Sequence, residues 1–347
     1  WESQQVLPEG QLPEDLQELL DKEDPAFEME MFKYADELNI KNYRNEGKAS
    51  FAFLWNLYLH PSPLAKKTLA KLLSRYYPSE LWDVHYRFIF YRSNRKINLV
   101  PFFSGSKDVQ GSLRFLKAIF KLAEKKQDEE IWPVLAYQFD LGKRHHYSKK
   151  TRHYLRRRAW RYLRRLGEQG SAAYVRMATK VLLHYEPIDG RQKRSNPQSD
   201  ETYRSYTHLW LFNHLLYHNS SRFTCSSSKY WQDQGADSYP IIPPEEREEA
   251  FPELWDQHPE KLFLLLTKAK AEPVLQFAGR ALRMGNPNYV SERVLKNLLE
   301  ASFPGQRSFA AGSLLDRSDP KQPDWELLFS FLFSYYQEIR AEAKRFI

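Results

Sequence analysis

Two histidines, His214 and His218, stand four residues apart in HLWLFNHLLYHNSS. That spacing puts both imidazoles on one face of a helix, where they can grip a metal ion. His208 is nearby and Cys225 lies beyond the stretch, but neither an HExxH nor a paired-cysteine motif accompanies them. The expectation is therefore a structural role, with no metal or other cofactor assigned. His145 and His146 sit inside a basic run, a setting suited to phosphate contact. The sequence has no GxxxxGK[ST] or GxGxxG loop to cradle a nucleotide, and Cys225 in TCSSS lacks any local nucleophile signature. No catalytic residue is assigned, and a non-enzymatic role is expected.

The strongest chemical signal is charge. Between Lys143 and Arg165 the chain carries Lys143, Arg144, Lys149, Lys150, Arg152, Arg156, Arg157, Arg158, Arg161, Arg164 and Arg165, with no Asp or Glu. Leu155, Ala159, Tyr162, Leu163 and Leu166 recur within this run at helical spacing and form one apolar face. At about 100° per residue, Lys150, Arg157, Arg158, Arg161, Arg164 and Arg165 then project from the opposite side as a cationic ridge. Like charges at i, i+4 oppose a helix by about 0.3 kcal/mol per pair, so the ridge calls for an anionic counterpart. Nucleic-acid phosphate is the leading expectation, with Lys149 adding to the ridge and Arg191, Lys193 and Arg194 of the following loop assisting. An acidic protein surface, or carboxylates of a neighbouring element, would suit the same planar guanidinium fork. Phosphate contacts would bring affinity and salt dependence but little sequence choice.

Charge is also unevenly placed. Net charge is +8, yet residues 1–47 hold thirteen Asp and Glu against Lys22, Lys33, Lys41 and Arg44, a net of −9. This acidic stretch is expected either to be a solvated helical flank or to fold over the basic surface and compete with an anion. Leu16, Leu19, Leu20, Phe27 and Phe32 give it apolar anchors of its own, which favours the first.

These groups must be positioned by helices. Glycine is scarce, at 13 in 347 residues, while 15% are aromatic, a balance suited to packed helices rather than a glycine-punctuated β fold. A chain of this length exceeds the usual single core, so two domains or a repeat array are expected. Periodicity predicts helices within 12–42, 50–60, 64–77, 81–91, 111–125, 130–141, 148–166, 172–185 and 202–217. Residues 186–201 and 219–244 read as loops. The expected divisions are an acidic N-terminal segment (1–47), a helical region (48–141), repeats bearing the ridge (142–218), a long connection (219–248) and further repeats (249–347).

The last third repeats itself. Val274, Ala278 and Leu282 align with Gln306, Ala310 and Leu314, and again with Ile339, Ala343 and Ile347, at offsets of 32 and 33 residues. Tyr174, Ala178 and Leu182 fit the same template. A small residue between larger ones lets neighbouring helices approach closely, and periods of this size mark α-solenoids. The fold class expected is all-α, an α-solenoid of helical pairs. The chain opens on Trp1 and stops at Ile347 inside a helical pattern, as expected of a piece of a longer protein. A lone cysteine, no leader and no long apolar run point to a cytoplasmic protein.

The blocks TRHYLRRRAWRYLRRLG, HLWLFNHLLYHNSSRF and EAFPELWDQHPEKLFLLLTKAKAEPVLQFAGRAL, within 151–282, resemble the HEAT-like region of bacterial proteins that often carry a WGR domain. The resemblance implies a HEAT-like fold and, through the DNA-end recognition of WGR modules, nucleic acid (DNA before RNA) in genome maintenance or defence. This chain has no Trp-Gly-Arg motif. HEAT-like solenoids also include DNA glycosylases that use Trp, Asp and Arg on a concave basic surface. Trp255-Asp256 and Asp316-Arg317 supply those types, with Asp316 expected rather to cap a helix or pair across a repeat.

Overall fold

The computed structural model describes residues 5–44, 51–74, 109–141, 149–192, 204–206, 208–221, 223–225, 231–233, 246–318 and 323–347. The chain divides into two compact units, Trp1–Leu155 and Arg156–Ile347. Helices dominate both. No helix among the described residues is long and apolar enough to cross a membrane.

The first unit contains α1 (Glu14–Asp21), α2 (Ala26–Arg44), α3 (Ala52–Leu59), α4 (Pro63–Ser74), α5 (Val109–Lys126) and α6 (Ile131–Leu141). Helix α2 buries Phe27, Met31 and Ala35, spaced i, i+4, i+8, while α1 buries Leu16 and Leu20. The acidic N-terminal stretch is thus anchored by its own apolar stripe. Helix α3 is apolar on almost every side and buried accordingly, packing against α4 and α5. The turn at Pro8–Gly10 reaches α3 so closely that a Cβ on Gly10 would lie 2.5 Å from the Ala52 carbonyl carbon, so only glycine fits. Asn56 holds this approach, donating from Nδ2 to the Leu7 carbonyl and accepting the Leu7 N–H, each at 2.8 Å. Ahead of α6, the Asp128 carboxylate accepts the N–H groups of Glu130 and Ile131, satisfying donors a helix start leaves open. Phe120 stacks on Trp132 at 5.7 Å and meets Phe139 edge-on at 5.1 Å, joining α5 to α6.

Helix α7 (Lys149–Glu168) leads into α8 (Ala172–Leu182) through a tight turn in which Gly170 has φ +64°, the left-handed region. Helices α9 (Trp210–Leu216), α10 (Pro252–Asp256), α11 (Pro259–Lys268), α12 (Glu272–Gly285), α13 (Glu292–Leu298), α14 (Pro304–Asp316), α15 (Trp325–Leu332) and α16 (Gln337–Phe346) follow. Helices α11 with α12, α13 with α14, and α15 with α16 form antiparallel neighbours, and the second members stack in turn, α12 on α14 and α14 on α16. Ala278, Ala310 and Ala343, one from each stacked helix, are all fully buried. Gly279 faces the Phe309 side chain at the same contact, a further small residue where helices close up. Ile347, expected in the same row, lies beyond α16 and is 80% exposed.

Ion pairs tie these rows together. Arg280 meets buried Glu248 at 2.8 Å, Arg283 bridges Asp316 (2.8 Å) and Glu342 (2.9 Å), and Arg307 pairs with Glu338. Each guanidinium spans elements far apart in sequence, where partial burial strengthens the attraction relative to an exposed pair.

Two expectations need correction. The helix expected over 202–217 is confined to Trp210–Leu216, preceded by a short strand, β2 (Arg204–Ser205), which pairs antiparallel with β1 (Arg191–Gln192). The long connection likewise contains a ladder, β3 (Phe223–Cys225) with β4 (Trp231–Asp233). Aromatic and Thr residues such as Phe223, Thr224 and Trp231 favour extended backbone locally. These runs are too short for a period to register. The helix expected over 81–91 lies outside the described residues.

Candidate nucleic-acid interface

Helix α7 is built as its periodicity requires. Leu155, Ala159, Tyr162, Leu163 and Leu166 are at most 3% exposed and form its buried face. Close packing continues to its end, where a Cβ on Gly167 would overlap the Phe251 ring, which itself meets Tyr174 at 5.0 Å. On the opposite side Lys150, Arg157, Arg161, Arg164 and Arg165 are exposed. Arg158 is not among them; it is half-buried at the margin of that face, and Arg156 is buried at 8%. A residue 100° from its neighbour falls beside a packed row, and that is where Arg158 stands. The side chains of Lys149 and Arg191, and residues Lys193, Arg194, His145 and His146, lie outside those described.

A carboxylate on the same helix reaches the ridge. Arg164 Nε donates to Glu168 Oε1 at 2.7 Å on the same helix, both groups more than half exposed. Such an exposed i, i+4 pair contributes only about 0.4 kcal/mol and leaves the face strongly cationic. Arg165 lies over the Tyr162 ring at 5.7 Å.

Helix α9 flanks the ridge with aromatic rings, a feature no charge count or period revealed. Trp160, absent from the expected apolar face, is 6% exposed and stacks on His214 at 4.7 Å with the rings 4° from parallel. His214 also meets Trp210 edge-on at 4.7 Å, and His218 lies 5.2 Å from Trp160. Arg157 sits 6.0 Å from the Trp210 ring centre, a cation–π approach. Burial, then His218 and Arg164, push the His214 pKa down to about 3. Burial first and Arg164 second lower that of His218. The i, i+4 histidines therefore face an indole and an arginine. Among the described residues no cluster of three or more His, Cys, Asp or Glu is placed to hold a metal.

The residues considered for base excision are committed to packing. Trp255 is fully buried and donates its indole N–H to the Ala250 carbonyl at 3.2 Å. Asp256 accepts Arg247 at 2.9 Å, and Asp316 accepts Arg283, as expected of a pair across the repeat. Arg317 Nη2 donates to the Pro287 and Val290 carbonyls at 2.6 and 2.7 Å, closing the α12–α13 loop onto α14. Those contacts are the work of helix joints, and they leave the cationic face of α7 as the arrangement best suited to a ligand.

Neither a family model, nor a curated protein, nor a solved structure matches this chain.

Proposed function

We propose that this protein is a non-enzymatic helical-repeat scaffold, its pairs stacked as a HEAT-like α-solenoid, that binds nucleic acid through α7. The observation that carries this reading is the row Arg157, Arg161, Arg164 and Arg165, exposed on one helix whose opposite face is locked into the core. Planar guanidinium forks suit phosphate oxygens, and the helix backbone that carries the row is already ordered before contact. Affinity follows from counterion release rather than from base edges, so salt dependence is steep and sequence preference slight. DNA is favoured over RNA, and a cytoplasmic role in genome maintenance or defence, on the resemblance to the bacterial HEAT-like family alone.

The test is charge reversal. Arg157→Glu, Arg161→Glu and Arg164→Glu together should abolish retention of a labelled DNA duplex while circular dichroism stays unchanged. In the native chain, four phosphate contacts would give log affinity a slope of about −3 to −4 against log salt. Unchanged binding of the triple variant at low and moderate salt would overturn the reading. A second reading, a scaffold docking an acidic protein surface, is supported by the Arg164–Glu168 pair, in which a ridge guanidinium already holds a carboxylate. Native protein that ignores DNA yet retains acidic polypeptides through these arginines would establish it instead.

A further inference from the structure

Side chains of α9 and of the turn after it lie against those of α7. Arg157 lies over Trp210, Trp160 stacks on His214 and lies 5.2 Å from His218, and Arg164 follows Trp160 by one turn of α7. His218 stands in the turn that follows α9, two residues past its last helical residue, Leu216. The last contact differs from the others because His218 is exposed while one side of its ring rests near Trp160, at 5.2 Å. The groups facing it are Trp160 and Arg164 on α7 and, on α9, His214 at 5.9 Å. Arg164 already holds the Glu168 carboxylate, 2.7 Å from its Nε, which a docking phosphate must share or displace. Arg164 makes the charged imidazole unfavourable in the free protein, and an anion seated between the two would reverse the sign of that effect.

We infer that His218 is a phosphate contact of this face, taking a proton from solvent when a phosphate group docks on Arg164 and then donating an N–H to a phosphate oxygen. The inference rests on the reading that the α7 face binds nucleic acid and extends that face onto the turn that follows α9. The imidazole is neutral in the free chain at neutral pH and cationic in the complex, so binding takes up one proton. By linkage, affinity must rise as pH falls toward the range where free His218 itself charges. One linked proton steepens affinity by up to about tenfold per pH unit.

The experiment follows binding of a labelled DNA duplex to the full chain at fixed ionic strength, from about pH 8 to about pH 5.5, across the imidazole range. The native chain should bind more tightly as pH falls. His218→Gln should match it at the alkaline end and stay flat, and His218→Lys should bind at high pH as the native chain binds at low pH. In parallel, the His218 ring proton shift should report a pKa that rises when DNA is added. A flat native profile, or an unaltered slope in His218→Gln, would overturn the inference while leaving the arginine ridge standing. Absence of binding at every pH would overturn both.

Discussion

His214 shows how much one side chain's surroundings govern its chemistry. Its ring lies parallel to Trp160 and edge-on to Trp210, each at 4.7 Å, so a proton on it would be held in apolar surroundings beside Arg164. With a pKa near 3 in the folded chain, below the ordinary imidazole value, the unfolded chain takes up a proton first as pH drops. The stabilising contribution is therefore complete above about pH 6.5 and is lost progressively toward pH 3, at up to about 1.4 kcal/mol per pH unit. Denaturant midpoints measured at about pH 7 and about pH 5 should show His214→Phe losing less stability than the native chain over that interval. Equal losses in the two proteins would mean that the stacked imidazole does not set the acid sensitivity. The glycines make a related point about size: Gly167 and Gly279 stand where aromatic rings of Phe251 and Phe309 press in.

At the scale of elements, the stacked helices α12, α14 and α16 depend on small residues at matched positions. Ala278 and Ala310 are fully buried where one helix crosses the next, with no room for a longer side chain. Ala278→Arg or Ala310→Arg should destabilise the chain by about 3 kcal/mol or more, through overpacking together with an unpaired buried charge. Thermal or chemical denaturation checks this, and a loss within the ordinary surface range of about 0.5 kcal/mol would show that the contact can open without penalty. An arginine bridge joins two of the same rows, Arg283 of α12 to Glu342 of α16, while Arg280 of α12 pairs with Glu248 ahead of α10. Packing fixes the separation of the helices.

At the scale of the whole molecule, the question is what the acidic first 47 residues do for a basic protein. Leu16, Leu20, Phe27, Met31 and Ala35 are all buried, and Glu28 pairs with Lys71 of α4, so the segment is a structural layer of the first unit. Each large apolar side chain so buried contributes about 1.5–3 kcal/mol. Removing residues 1–47 should therefore lower the melting temperature markedly, and DNA affinity should stay within about twofold because the segment is committed to packing and pairing inside the first unit. A truncated chain that binds DNA more tightly would show instead that the acidic layer competes for the ridge. Melting curves and binding isotherms on the same preparation separate the two outcomes.

The helices and the ridge were legible in the sequence because both are local properties. A 3.6-residue period needs only neighbouring residues, so α7's buried face, the Ala278–Ala310–Ala343 row and the run of arginines could be read directly. The stripe of α2 could be read in the same way, since Phe27, Met31 and Ala35 lie within nine residues. What the period does not carry is the identity of the element that covers a face. Trp160 and His214 are 54 residues apart, and nothing in either segment announces that they stack or that Arg164 and His218 become neighbours. The short ladders escaped because two or three extended residues leave no measurable alternation, and their pairing is settled by chain closure. Arg158 shifts from ridge to margin for the same reason: exposure depends on which helix lies alongside. Amino-acid order thus determined the helices, the repeat spacing and the cationic face, since each is encoded in short-range spacing. Only tertiary packing decided which rings border that face and which histidine stands beside its arginines, because those contacts join segments brought together by burial alone.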